Sequence, residues 1–382
     1  MSENRTQKKA ERKRILRNRK RRIAYRLREV AWSPQDRPMF AASNIQYELA
    51  DKTRGMSAGG IGAMHLLARR TGLIEAIDKD LHLLKVHLPY HESDHVLNIA
   101  YNILSGGTCL QDMELLRNNE SHLDALGAQR IPDPTTAGDF CRRFDEVDVE
   151  LLQMAINDAR VGVWKQQPAA FFEEAILDAD GSLAETLGEC KQGMDISYKG
   201  EWGYHPLIVS LANTQEPLVV VNRPGNRPSH EGAAERFDQG IELCLGAGFK
   251  KVLLRGDTDF TQTGELDCWD AHPRVRFLFG IDAMPKLVEQ AENLPEKAWK
   301  PLERPAPYTV ATAPRSQPEN VKERIVRARG FENILLLSEQ VAEFEYQPGK
   351  CRKSYRLVVV RKNLSVEKGD EVLFDDIRYF FY

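Results

Sequence analysis

The rhythm of apolar and polar residues changes twice along this chain. Between residues 57 and 165 apolar positions recur at the helical period. GGIGAMHLLARRTGLIEAIDKDL carries one such stripe. SDHVLNIAYNILSGG carries another, with Ser93 as the expected cap and Gly106 and Gly107 as the stop. CLQDMELLRNN predicts a third helix, and PTTAGDFCRRFDEVDVELLQMAINDARVGVW predicts two more behind a turn. After Gln166 the apolar residues gather into runs of strand length. AILDAD, YHPLIVSLA and PLVVVN predict three strands, with the polar stretch 181–203 read as loop. SHEGAAERFDQGIELCLGAG predicts a helix capped by Ser229, KKVLLRGD a strand, QTGELDCWDAH a helix and VRFLFGID a strand. The order β-β-β-α-β-α-β predicts a mixed α/β sheet. From about residue 284 Pro and polar residues increase, and RPAPYTVAT, NILLLS, VAEFEY, YRLVVVRK and DIRYFFY predict a β-rich region.

Charge adds an arm to this picture. Net charge is −3 over 382 residues, yet residues 1–30 hold thirteen Lys or Arg against three Glu. That segment carries +10, so the remainder carries −13. A basic arm on an acidic body points to a polyanionic partner, nucleic acid above all. Lys8, Lys9, Arg12, Lys13, Arg14, Arg17, Arg19, Lys20, Arg21 and Arg22 are the expected phosphate-neutralising set. They should bind without sequence preference and with steep salt dependence. WSPQDRP, 32–38, reads as a linker. The expected division is therefore an arm and linker over 1–38, a helical, DNA-binding domain over 57–165, an α/β core over 170–283 and a β-rich region over 284–382.

Composition excludes several classes. With 42% hydrophobic residues the chain can bury a core in two or three domains. It has no long uninterrupted apolar stretch, and no apolar segment follows the charged N-terminus, so neither a membrane span nor a secretory signal is expected. The six cysteines are scattered without a CxxC, which argues against a zinc site and a disulfide framework.

The candidate chemistry lies in carboxylates. AILDAD ends in Asp178 and Asp180, which alternation places on one face of the strand. LLRGDTDF ends a second strand with Asp257 and Asp259. Like charges crowded together call for a cation, and an oxygen-only site suits Mg²⁺. Strand ends also attract Asp as turn residues. Two strands of one sheet both ending this way favour a metal site.

Several stretches in order resemble the DDE transposases of bacterial insertion sequences, most closely the IS thirteen-eighty family. They are ESDHVLNIAYNILSGG with LQDMELLRN, DPTTAGDFCRRF, ILDADGS, GYHPLIVSL, VVNRPGNRPSHEGA and LLRGDTDF. The resemblance runs from about residue 60 to the end. It implies a ribonuclease-H-like core, preceded by a helical domain and followed by a β-rich insertion. It implies Asp180 and Asp257 as catalytic metal ligands, with Asp178 the alternate for Asp180. The cofactor would be Mg²⁺ or Mn²⁺ in a two-metal reaction on phosphodiesters. The partner would be double-stranded DNA, at terminal inverted repeats and target, with a possible homo-oligomer. Such a protein works in the bacterial cytoplasm, on the nucleoid when bound. Asp259 stands where the family usually has glycine and receives no role.

The same resemblance implies a third acidic ligand, a glutamate on a helix in a Tyr–Arg–Glu–Lys signature. No such pattern follows Asp257, and Glu367 and Glu371 are expected in a loop between strands. The expectation is a chain cut off before its last ligand and inactive alone. A catalytically dead DNA-binding remnant, or an inhibitor of an intact transposase, is the alternative. A second is a phosphatase, because DADGS also resembles the first motif of haloacid-dehalogenase enzymes, with Asp178 and Asp180 as its carboxylates. That fold would place a helix after the motif and a parallel sheet around it. Arg223, Asn226 and Arg227, in the loop NRPGNRPSH, are further candidate DNA contacts. Trp202, Tyr204 and His205, in EWGYHP, could stack on or contact DNA near the active site or equally pack on the sheet, with packing expected for Trp202. His82, His87, His91 and His95 read as a surface or core cluster, since Pro89 interrupts their helical spacing.

Overall fold

A computed structural model of the protein describes residues 14, 17, 18, 20, 21, 36, 38–41, 58–188, 191–304, 321–368 and 371–382. It divides into two compact units, Met1–Gln167 and Pro168–Tyr382. Among the described residues no helix is long and apolar enough to cross a membrane.

The first unit is helical, as its periodicity predicts. Its helices are α1 (Ile61–Arg70), α2 (Leu73–Asp80), α3 (Glu92–Leu104), α4 (Met113–Arg117), α5 (Glu120–Leu126), α6 (Pro134–Cys141) and α7 (Glu146–Trp164). Leu97 and Tyr101 of α3 face Leu123, Leu126, Ile131 and Phe40 in one core cluster. Ile77, Leu81, Phe140 and Ala155 form another. Two local expectations are corrected. CLQDMELLRNN is a 3-10 turn followed by the short α4 rather than one helix. Ser93 is not the cap of α3: the helix begins one residue earlier, and Asp94 reaches back to accept from the His91 N–H at 2.9 Å. Ser93 instead donates its N–H and its hydroxyl to Asp78.

Asp94 is fully buried and also ties down the chain before the helices. Its carboxylate accepts from the N–H of Met39 at 2.7 Å and of Phe40 at 3.0 Å. Nε2 of His65 donates to the Phe40 carbonyl, and Arg69 donates to that of Ala41. Desolvation pushes Asp94 up to about 6, against the pull of its three N–H donors.

The second unit opens with β1 (Ala175–Gly181). Three very short strands, β2 (Ala184–Glu185), β3 (Asp195–Ile196) and β4 (Trp202–Tyr204), form a small sheet in the order β2-β4-β3. Strand periodicity could not show them, since they are two or three residues long, and the polar stretch after Gly181 is therefore not plain loop. Then follow β5 (Leu207–Leu211), β6 (Glu216–Val221), α8 (Ala233–Ala247), β7 (Val252–Gly256), α9 (Leu266–Ala271) and β8 (Val275–Phe279). Helix α8 starts at Gly232, in the left-handed region, and not at the expected cap Ser229.

The main sheet has the order β6-β5-β1-β7-β8. β1 pairs antiparallel with β5 and parallel with β7, and β7 pairs parallel with β8. A mixed sheet whose first strand runs into another strand is not the parallel sheet of the dehalogenase reading. Alternation gives β1 and β7 two different faces. Ala175, Leu177 and Ala179, with Val252 and Leu254, are buried on the α8 side. Gly240 of α8 lies so close to Leu177 that an added Cβ would stand 2.9 Å from its Cδ1. Ile176, Asp178 and Asp180, with Leu253 and Arg255, form the opposite, more accessible face.

The rest of this unit is less purely β than expected. It begins with α10 (Pro285–Glu292), then β9 (Lys300–Pro301) and, beyond the expected strand RPAPYTVAT that falls after Arg304 outside the described residues, α11 (Val321–Ala328). NILLLS and VAEFEY are one strand, β10 (Glu332–Tyr346), bulged between Leu336 and Ser338. β11 (Tyr355–Lys368) and β12 (Glu371–Phe381) complete a sheet in the order β12-β11-β10-β9. Glu367 and Glu371 are paired strand residues, not loop residues. Leu287, Trp299, Leu357, Val359 and Phe381 bury the core of this region. It is pinned to the main sheet: the Ile281 N–H donates to the Phe381 carbonyl, and Asp267 of α9 accepts from the Arg352 N–H and the Tyr355 hydroxyl.

Candidate active site

Register decides which carboxylates can meet. β1 and β7 run parallel with Asp178 beside Arg255. Two residues further, Asp180 lies near the end of β1, and Asp257 follows the end of β7 as the cap of a 3-10 turn, near enough for the charge of Asp180 to bear on it. Asp178 is occupied otherwise: Arg255 donates Nε to its Oδ1 at 2.7 Å and Nη2 to its Oδ2 at 2.6 Å. The two-residue ambiguity in LDAD thus has a structural difference behind it. Asp178 holds a guanidinium, and the charge of Asp180 bears on Asp257.

Asp257 sits under electrostatic pressure. It caps a 3-10 turn, accepting the Asp259 N–H on Oδ1 at 3.0 Å. Although the residue is exposed, loss of water around its carboxyl raises its pKa above the usual range. The charges of Asp259 and Asp180 raise it further, against N–H bonds from Asp259 and Phe260 that lower it.

Behind β1 lies a second group that periodicity missed. His205, just after β4, is buried, and its Nε2 comes within 2.6 Å of where a Cβ on Gly181 would stand. Its Nδ1 donates to the Arg227 carbonyl at 2.8 Å, which leaves the lone pair of the neutral ring on Nε2. The main chains of His205 and Arg223 are joined as well, by the His205 N–H to the Arg223 carbonyl. Arg223 donates Nε back to the His205 carbonyl, and Nη1 to the carbonyls of Pro228, Ser229 and Glu231.

That network corrects the reading of the loop. Arg223 is buried, and its Nε and Nη1 serve main-chain carbonyls and hold the loop's shape. Asn226 donates to Asp195 at 2.7 Å, which ties the loop to β3. Arg227 remains half exposed, beside Glu231 at 3.3 Å. Trp202 is also half exposed rather than packed on the sheet.

A family model described as transposase DDE domain group 1 matches residues 45–371. The chain belongs to this family. No curated protein matches it in sequence. Among solved structures it is similar to the piggyBac transposase in a cryo-EM synaptic complex with hairpin DNA, at 11% identity and a TM-score of 0.31. The match covers 87% of this chain and 54% of that one, so the chain spans about half of that protein's length.

For a DDE transposase domain the donor set matters. Among the described residues no group of three or more His, Cys, Asp or Glu is arranged to hold a metal ion. The Asp180–Asp257 pair nevertheless fits one: both are hard oxygen donors, and a cation between them would relieve the repulsion that raises Asp257. Mg²⁺ commonly takes only one or two protein carboxylates, with water and phosphate completing the shell. His87 and His91 stack on each other, with His87 also on Glu92, and His95 stacks on Phe140, so the histidines read as packing. Of the arm, Arg14, Arg17, Lys20 and Arg21 are helical and exposed; Lys8, Lys9, Arg12, Lys13, Arg19 and Arg22 lie outside the described residues.

Arg255 escaped the sequence reading. A signal for it did exist: Arg255 stands two residues before Asp257, as Asp178 stands two before Asp180. Matching those intervals across two strands would have paired them.

Proposed function

We propose that the chain is a DNA transposase of the insertion-sequence type, of the IS thirteen-eighty group, in which Asp180 and Asp257 hold Mg²⁺ or Mn²⁺. The observation that carries this reading is the parallel register of β1 and β7, with Asp178 bound to Arg255 and Asp180 near enough to Asp257 for its charge to bear on it. The sheet order and strand directions are those a ribonuclease-H-like core implies. A divalent cation at the pair would polarise a phosphodiester and activate a water or 3′-hydroxyl. The chain's own residues do the rest. Asp180 and Asp257 supply negative oxygens at a strand end open to a long substrate. Arg255 neutralises Asp178. Arg223 and His205 brace the loop and strand end from behind. The basic arm neutralises DNA phosphates, and the helices of 57–165 read the element's inverted repeats.

A second reading has one observation in its favour. Among the described residues no group of three or more acidic or other ligating side chains is arranged to hold a metal ion, whereas the family resemblance implies three carboxylates. On that basis the purified chain binds DNA and metal weakly at the pair, and carries out little strand transfer alone; it then acts as a DNA-occupying remnant or an inhibitor of an intact partner.

One assay series tests both. The chain is mixed with duplex carrying insertion-sequence ends, with generic duplex and with an aryl phosphate, in Mg²⁺. Retention of duplex that falls steeply with salt, without aryl phosphate turnover, is expected. Efficient strand transfer would remove the second reading and keep the first. Turnover of the aryl phosphate, lost in Asp180→Asn, would overturn both in favour of a phosphatase.

A further inference from the structure

Arg255 is held in an unusual way for a residue beside two carboxylates on a common face. A guanidinium has five N–H donors in a rigid plane. Asp178 takes one from Nε and one from Nη2, engaging the side edge. Both N–H groups of Nη1 and the second of Nη2 meet no acceptor among the described residues. The side chain is 44% exposed, so this free end reaches solvent. It stands two residues before Asp257, which follows the end of β7 and caps the turn there. The result is a cation fixed by one anion, with its free N–H groups open to solvent two residues before Asp257.

We propose that Arg255 is a phosphate-binding residue of this site, taking a non-bridging oxygen of the DNA phosphodiester next to the one at Asp180 and Asp257. The inference rests on the transposase reading above and names a contact within it. Planar two-point donation suits phosphate as it suits carboxylate. Asp178 acts as the positioning residue: it orients the guanidinium beforehand, so the ordering cost is met before DNA arrives. A lysine in its place would keep the charge and lose the fork.

The test uses the full chain with a short blunt duplex in Mn²⁺, across a range of salt, and Mn²⁺ binding measured separately without DNA. Arg255→Gln is expected to weaken duplex binding about tenfold at low salt. The slope of log affinity against log salt should become shallower by about one. Arg255→Lys should restore the slope and only part of the affinity. Mn²⁺ affinity should not fall in either variant. The double variant Asp178→Asn/Arg255→Gln leaves no unpaired carboxylate and should repeat the Arg255→Gln result, which guards against misfolding. Unchanged duplex affinity and slope in Arg255→Gln would overturn the inference while leaving the metal pair intact. Loss of Mn²⁺ binding in the double variant would also overturn it, by making Arg255 a strut for the register. Absence of Mn²⁺ binding in the unaltered chain would remove the transposase reading and this contact with it.

Discussion

His205 Nε2 stands 2.6 Å from the position a Cβ on Gly181 would occupy, directly behind the strand end that presents Asp180. The ring cannot retreat freely, because Nδ1 is bound to the Arg227 carbonyl and the residue is buried. Gly181→Ala should therefore cost about 1–3 kcal/mol, the range for overpacking a fixed site. Adding His205→Ala should cost less than the sum of the two single changes, since the clash is then gone. Equilibrium urea unfolding of the four proteins measures this coupling. Strict additivity would mean the two residues do not meet.

Asp257 carries a prediction about pH and metal. Its pKa is raised in the fold, first by loss of water and then by Asp259 and Asp180. A carboxyl so raised disfavours folding above its folded pKa, and the penalty fades as pH falls toward the ordinary carboxylate value. Asp257→Asn keeps an acceptor for the Asp259 N–H and removes the charge. Without divalent metal at neutral pH it should melt slightly higher than the parent chain, by about 1–2 °C given solvent screening. The gap should close on acidification. Saturating Mn²⁺ should reverse the order, because only the parent gains binding energy. Scanning calorimetry at several pH values, with and without Mn²⁺, checks each part. A variant that melts lower at neutral pH without metal would contradict the crowding of charges.

In the helical unit the corresponding test falls on Asp94. Burial pushes it up to about 6, while the unfolded carboxyl titrates near 4. A raised carboxyl binds its proton more tightly in the fold, so this group's contribution declines as pH rises from about 4 to about 6 and is flat above. Asp94→Asn should abolish that slope. It should also cost about 2–3 kcal/mol, since an amide offers one oxygen to N–H groups that now use both. Hydrogen exchange of the Met39 and Phe40 amides reports it locally. Unchanged protection there would show that Asp94 does not anchor the segment following the arm.

Much of this architecture is legible in the chain. AILDAD and KKVLLRGD show their strands because apolar residues cluster at strand length, and the helical stripes of 57–165 show theirs. The carboxylates at both strand ends are visible too. What stays hidden depends on partners distant in sequence. Whether Asp178 or Asp180 is free depends on Arg255, 77 residues away, and on a register no local pattern encodes. Ser93 resembles a cap until Asp78 takes its hydroxyl. Arg223 resembles a phosphate contact until the loop folds around it. The strands of 184–204 are too short for any periodicity, and the polar pair Glu339–Gln340 makes one strand, β10, look like two.

The most direct measurement is Mn²⁺ binding to the 382-residue chain by electron paramagnetic resonance, comparing Asp178→Asn, Asp180→Asn and Asp257→Asn. The expected result is that Asp180→Asn and Asp257→Asn each lose about tenfold or more in affinity, as removal of a ligand costs at least what loss of a supporting group does. Asp178→Asn should bind nearly as the parent does, since its carboxylate serves Arg255. Equal loss in Asp178→Asn and Asp180→Asn, or parent-like binding in Asp257→Asn, would contradict the pairing of Asp180 with Asp257.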